Sequence, residues 1–170
     1  MDQQMKNFIG LSAVLTGFAS GTIAPNIDPI NIKADYYTKF QDEIGNSLFF
    51  QILSDFENQT KNDADPLNLS PERSQQVGEA MLANSKATDY LMACRQLIFL
   101  WYSGAWATVV PASDCEPESV ASTLLSSKSY TQGLAWQVMQ SHPMGDSNYR
   151  YGYWANEPAP LSGYTGNTND

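Results

Sequence analysis

Basic residues are scarce in this sequence. Only 9 lysine and arginine residues stand against 18 aspartate and glutamate residues, so the formal net charge is −9 and the isoelectric point lies near 4.4. The chain has no lysine or arginine cluster that could release counterions from a phosphate backbone. The same shortage disfavours binding to anionic membrane surfaces. The composition therefore argues against a nucleic-acid partner and against direct contact with a membrane.

The sequence also lacks an apolar run long enough to cross a bilayer. The longest apolar segment, Tyr90 to Pro111, is interrupted by Arg95 and Gln96, and 14 residues separate Gln96 from Pro111. A membrane-spanning helix needs roughly 20 apolar residues. We therefore predict that residues 90–111 form the buried central helix of a soluble domain, with Trp101 and Trp106 packed against other helices.

Residues that carry chemistry are few. The chain has one histidine, His142, and two cysteines, Cys94 and Cys115, whose spacing does not match a zinc site. Patterns such as GxSxG, GxGxxG and GxxxxGK[ST] are absent. We predict that this chain is not an enzyme and holds no catalytic, cofactor or metal site. Cys94 is expected to be a buried thiol, whereas Cys115, in an acidic segment, is a candidate for an intermolecular disulfide.

The apolar residues that are present recur at helical spacing. Helices are predicted over 4–18, 32–56, 71–83, 90–111 and 128–140, with a helical turn over 119–125. Ser70 followed by Pro71 is typical of a helix start. We predict an all-α fold: an irregular bundle of about five helices in one domain over 1–170, with a helical body over 4–140.

The composition changes after residue 140. Residues 141–170 are rich in glycine, proline and aromatic residues, which excludes a regular helix and predicts an extended tail. In an extended segment Tyr149, Tyr151 and Tyr153 share one face, and Trp154 lies on the other. Such a ribbon could pack on its own chain, form a subunit interface, or stack on sugars. Tyrosine, tryptophan and arginine are typical of interfaces.

Four short motifs occur in an order that resembles a known family. They are LSAVLTGF at 11–18, LWYSGAW at 100–106, SYTQGLAW at 129–136, and HP at 142–143 with YGYW at 151–154. Together they are similar to the small (gamma) subunit of bacterial membrane-bound FAD-dependent sugar and polyol dehydrogenases, such as the sorbitol, fructose and glucose dehydrogenases. The resemblance extends over nearly the whole chain, from Phe8 to Pro158.

The resemblance implies a non-catalytic accessory subunit in the periplasm. In that family a large glucose-methanol-choline-type flavoprotein carries FAD and oxidises the substrate, and a cytochrome c subunit passes electrons to the quinone pool. The complex meets the inner membrane through those partners. The small subunit stabilises the flavoprotein and provides the twin-arginine signal for its export. No Arg-Arg pair occurs in this sequence. We therefore expect either that a signal precedes residue 1 or that this member lacks the export role.

Two alternatives remain. The chain could be an independent carbohydrate-binding module that uses the tail tyrosines and Trp154, or, with least support, a stand-alone enzyme that uses His142 or Cys94. For the accessory subunit, Arg95 could anchor an interface because it interrupts an apolar helix. The full set of predicted interface residues is Arg95, Trp101, Trp106, Cys115, Trp136, Tyr149, Tyr151, Tyr153 and Trp154.

Overall fold

The computed structural model describes residues 2–110 and 119–143. Contacts within the chain divide the described residues into two compact units. The first unit covers residues 2–98, and the second covers residues 99–110 and 119–143. The boundary falls within the helix Thr88–Ser103. The elements in chain order are α1 (Gln3–Thr16), α2 (Ser20–Ile23), α3 (Ile32–Ile44), α4 (Asn46–Thr60), α5 (Pro71–Met81), α6 (Thr88–Ser103), β1 (Ala105–Val110), β2 (Ser119–Leu124), α7 (Ser127–Thr131) and α8 (Leu134–Val138). The single domain over 1–170 stays a prediction.

The first unit has an aromatic core. Helix α1 contacts α2, α3, α4 and α5, and Phe8 on α1 is fully buried. Its ring centroid lies 5.3 Å from that of Tyr37 and 6.2 Å from that of Phe40. Phe49 on α4 lies 5.8 Å from Phe40, with the two rings close to edge-to-face. Edge-to-face pairs of this kind add to the free energy gained by burying the rings.

A single glycine divides the helix that the sequence predicts over 32–56. Gly45 has φ 77° and ψ 154°, a conformation open to glycine because it has no Cβ. Its N–H donates to the Gln41 carbonyl at 3.0 Å and ends α3, while its carbonyl accepts from the Phe49 N–H at 3.0 Å and begins α4. The prediction of one long helix is therefore wrong, although Phe40 and Phe56 are both buried.

The start of α5 confirms the predicted cap. The Ser70 hydroxyl accepts a hydrogen bond from the Arg73 N–H at 3.2 Å, and Pro71 occupies the first helical position, where no intrahelical N–H bond is lost. The Arg73 guanidinium also pairs with the Asp63 carboxylate at 3.0 Å. These contacts join α5 to the loop that precedes it.

The all-α fold class is wrong, because the second unit contains a two-stranded antiparallel sheet. The predicted core helix over 90–111 ends at Ser103, and Ala105–Val110 form β1. The predicted helical turn over 119–125 is strand β2, and the predicted helix over 128–140 is the two short helices α7 and α8. Tryptophan, threonine and valine in β1 favour a strand once a glycine has ended the helix. The predicted extended tail lies largely outside the described residues.

Candidate interaction surface

Two of the motifs meet at the point where α6 ends. Gly104, in LWYSGAW, has φ 69°, and its N–H donates to the Leu100 carbonyl at 2.9 Å. The Ser129 hydroxyl, in SYTQGLAW, donates to the Gly104 carbonyl at 2.7 Å in a buried hydrogen bond. A direct polar contact between two residues 25 positions apart therefore holds the two motifs together.

The backbones at this junction are too close for side chains. A Cβ on Gly104 would lie 2.2 Å from the Ser129 carbonyl oxygen. A Cβ on Gly133 would lie 2.8 Å from the Tyr102 carbonyl oxygen. Each distance is far below van der Waals contact, so both positions require glycine in this fold. We refer to Gly104, Ser129 and Gly133 as the glycine–serine junction.

Ser129 is also held within α7. Its N–H donates to the Ser126 hydroxyl at 3.0 Å, and the Ser126 N–H donates to the Ser129 hydroxyl at 2.8 Å, which is a reciprocal cap. The Trp136 indole N–H donates to the Tyr130 carbonyl at 2.7 Å, and the two rings are edge-to-face with centroids 5.3 Å apart. The aromatic residues of SYTQGLAW therefore stabilise the short helices α7 and α8.

The two strands of the sheet are differently exposed. In β1, Ala105 and Trp106 are buried, with exposed fractions of 7% and 5%. Every residue of β2 is exposed. The strands pair from Ala105 opposite Leu124 to Val110 opposite Ser119. Strand β2 is therefore an edge strand: β1 pairs with one of its edges, and no strand among the described residues pairs with the other.

Exposed apolar side chains concentrate in the second unit. Of the seven large apolar side chains that are exposed within residues 2–110 and 119–143, five belong to this unit, although it is the smaller of the two. They are Phe99, Val120, Leu124, Val138 and Met139. An excess of exposed apolar side chains in one unit favours a role for that unit in binding another protein.

The predicted interface residues are found in different environments. Arg95 is exposed, whereas Trp101 and Trp106 are 2% and 5% exposed and Trp136 is half-buried. Trp106 and Trp136 both lie in the second unit, on β1 and α8. Cys115, Tyr149, Tyr151, Tyr153 and Trp154 lie outside the described residues. The interface role of the full set stays a prediction.

Sequence reasoning missed the glycine–serine junction and the exposed strand. The signals for the strand were present: Thr108, Val109 and Val110 are β-branched, and residues 119–124 combine valine and threonine with no charge. Nothing in the local sequence indicates that Gly104 and Ser129 touch, because their contact depends on the fold of the intervening hairpin.

Cys94 is fully buried in α6, in the first unit. Desolvation raises the pKa of its thiol from the ordinary 9.0 to about 12. Desolvation, followed by the charges of Cys94 and Asp55, also raises the pKa of the neighbouring Tyr90 phenol, whose hydroxyl donates to the Met81 sulfur at 3.6 Å. The expectation that Cys94 is a buried thiol is confirmed.

We expect the Cys94 thiol to resist alkylation in the folded protein. In a Cys115→Ser background, iodoacetamide at pH 8 should react roughly 1000-fold more slowly with the native chain than with the chain in urea, because only the thiolate reacts and the raised pKa lowers its fraction by about that factor. Mass spectrometry measures the alkylated fraction with time, and equal rates in both states would contradict the assignment.

Burial of Cys94 also makes the free energy of unfolding depend on pH. The stability that goes with the protonated thiol is fully present below about pH 9, and it is lost as the pH rises toward 12, because the thiolate is disfavoured in the folded chain.

The first unit contains an open groove of about 740 Å³. One wall is formed by Gly10, Ala13 and Val14 on α1 together with its C-cap, Gly17, and the other by residues within 66–75 that include Pro66, Leu67 and Ser74. The Ser20 hydroxyl donates to the Leu67 carbonyl at 2.6 Å, and both residues line the groove. None of the lining residues is charged.

Comparisons with known proteins give no relative. No protein-family model matches the chain, and neither a curated protein sequence nor a solved structure matches it. Within residues 2–110 and 119–143, no group of three or more histidine, cysteine, aspartate or glutamate side chains could hold a metal ion. No helix in this part of the chain is both long enough and apolar enough to cross a bilayer.

Proposed function

We propose that this chain is a non-catalytic accessory subunit of a periplasmic FAD-dependent sugar or polyol dehydrogenase. It would bind a large glucose-methanol-choline-type flavoprotein, stabilise it and assist its maturation and export. FAD and haem c would belong to the flavoprotein and to a cytochrome c subunit, and the complex would be held at the inner membrane by those partners.

The concentration of exposed apolar side chains in the second unit carries this proposal. That unit contains all of LWYSGAW and all of SYTQGLAW, two of the four motifs whose order resembles the dehydrogenase small subunits. The two motifs are joined by the Ser129–Gly104 hydrogen bond. They position a sheet with Val120 and Leu124 exposed to 67% and 47%. A hydrogen-bonded scaffold that presents apolar groups is suited to holding another polypeptide.

Co-expression tests the proposal. The tagged chain is produced with the glucose-methanol-choline-type flavoprotein encoded next to its gene, and in parallel with an unrelated flavoprotein as the control. We expect only the neighbouring flavoprotein to copurify in a stable complex, and its soluble yield to fall when this chain is omitted. If the two proteins purify separately and the flavoprotein is fully active alone, the proposal fails.

A further inference from the structure

We propose that the outer edge of β2 (Ser119–Leu124) accepts a strand from the partner subunit. The paired part of that strand would be uncharged, and lysine or arginine would flank it. This assignment rests on the proposed accessory role, and it names the surface through which the chain would hold its partner. Strand addition at a sheet edge is a general mode of protein recognition.

The register of the sheet determines which backbone groups of β2 are available. The Leu125 N–H donates to the Gly104 carbonyl at 3.0 Å, next to the pair formed by Ala105 and Leu124. Hydrogen-bonded and non-hydrogen-bonded pairs alternate along an antiparallel ladder. The N–H and C=O groups of Val120, Ser122 and Leu124 therefore point away from β1, where an added strand would meet them.

The edge lacks the features that usually prevent strand addition. Charged side chains, proline and bulges protect the exposed edges of most sheets. The sequence of β2, SVASTL, contains no charged residue and no proline, and its six residues pair with β1 without a break. All six are exposed. The edge is therefore open both sterically and electrostatically.

The side chains of β2 indicate what the added strand carries. Val120, Ser122 and Leu124 lie on one face of the strand because side chains alternate. Val120 and Leu124 are the exposed apolar members of that face. Directly paired apolar side chains on neighbouring strands stabilise a sheet. We therefore expect apolar residues at alternate positions of the partner strand.

The charge distribution along the chain identifies the flanks of the partner strand. From Gln96 to Ser127 the sequence has no lysine, arginine or histidine, whereas Asp114, Glu116 and Glu118 immediately precede β2. A strand flanked by basic residues complements this acidic segment. A second copy of the chain is disfavoured as the occupant, because each copy carries a net charge of −9 and the two would repel.

The substitution Ser122→Pro tests the assignment with little disturbance of the sheet. Ser122→Pro removes an N–H that points away from β1, so the ladder between β1 and β2 is retained. Ser122→Ala is the matched control, because it removes the hydroxyl and keeps the N–H. We expect Ser122→Pro to weaken binding to the neighbouring flavoprotein by about 10-fold or more, and Ser122→Ala to change it by less than about 2-fold. Circular dichroism and the melting temperature of the isolated variants verify the fold.

Hydrogen exchange provides a measurement that does not depend on a variant. In the wild-type complex the amides of Val120, Ser122 and Leu124 should exchange more slowly than in the isolated chain. The affinity should also fall when the salt concentration is raised from about 0.05 to about 0.5 M, because salt screens the basic flanks from the acidic segment.

Three other outcomes would contradict the inference, and each identifies a different error. If wild-type chain and flavoprotein form a complex, Ser122→Pro binds as tightly as wild type and the three amides are unchanged, strand addition is excluded while the accessory role survives. If the wild-type proteins form no complex, both proposals fail. If the isolated chain dimerises and Ser122→Pro abolishes the dimer, the occupant is a second copy, and the assignment to the partner subunit is wrong.

Discussion

Replacing Gly104 with alanine is expected to lower the free energy of unfolding by about 2–5 kcal/mol. The left-handed conformation at φ 69° costs a residue with a Cβ about 1–2 kcal/mol. The new Cβ would also lie 2.2 Å from the Ser129 carbonyl oxygen and 2.4 Å from its carbonyl carbon. Overpacking of this kind costs about 1–3 kcal/mol more, because backbone atoms cannot rotate away as a side chain can. Urea denaturation followed by circular dichroism measures the change.

Gly17→Ala is the matched control for this prediction. Gly17 has φ 77°, close to that of Gly104, but a Cβ there would meet nothing within 4 Å. Gly17→Ala should therefore lower the free energy of unfolding only by the cost of the left-handed conformation, about 1–2 kcal/mol. If both variants lose the same amount of stability, the close contact between Gly104 and Ser129 is wrong. A larger loss at Gly104, accompanied by faster exchange of the β1 amides, supports it.

Replacing Trp101 with alanine is expected to lower the free energy of unfolding by about 3–5 kcal/mol. Trp101 is among the largest of the buried side chains, with an exposed fraction of 2%. Its removal loses the transfer free energy of the indole ring and leaves a cavity that the surrounding residues fill only in part. Thermal and urea denaturation both report the loss.

Phe99→Ala provides the comparison for Trp101. Phe99 lies two residues earlier on α6, and its side chain is 37% exposed. Its replacement removes an aromatic group that water already reaches in part, so we expect a loss of about 1–2 kcal/mol, smaller than the loss for Trp101→Ala. Equal losses at the two positions would mean that Trp101 is not packed as described. A variant that keeps much of the volume, Trp101→Phe, should lose less than Trp101→Ala.

The sequence predicts the helices of the first unit well and the second unit poorly. Local signals suffice where a cap or a repeat defines the element: Ser70 and Pro71 mark the start of α5, and α1 runs over Gln3–Thr16 where 4–18 is predicted. At Gly45 the apolar repeat continues from one helix into the next, so periodicity alone cannot reveal the break. Only the positive φ of the glycine distinguishes two helices from one.

The sheet is harder to predict for a different reason. Residues 97–110 are apolar at a spacing that fits a helix as well as a buried strand. The strand forms because Gly104 ends α6 and because β2 supplies hydrogen-bonding partners from later in the chain. Strand pairing depends on residues that are distant in sequence, so neither β1 nor its partner can be recognised by itself. The part of the candidate surface that depends on this pairing was therefore beyond local reasoning.

The uncovered edge of β2 has a consequence for how the protein is made. An orphan copy, synthesised in excess of whatever covers that edge, leaves this uncharged template exposed, and sheet edges of this type favour aggregation once salt screens the repulsion between copies that each carry a net charge of −9. Balanced synthesis of the chain and its binding partner would then be a condition of solubility. If the chain forms inclusion bodies when it is overproduced without its partner, the cause would be the exposed edge of β2 and not a general failure to fold.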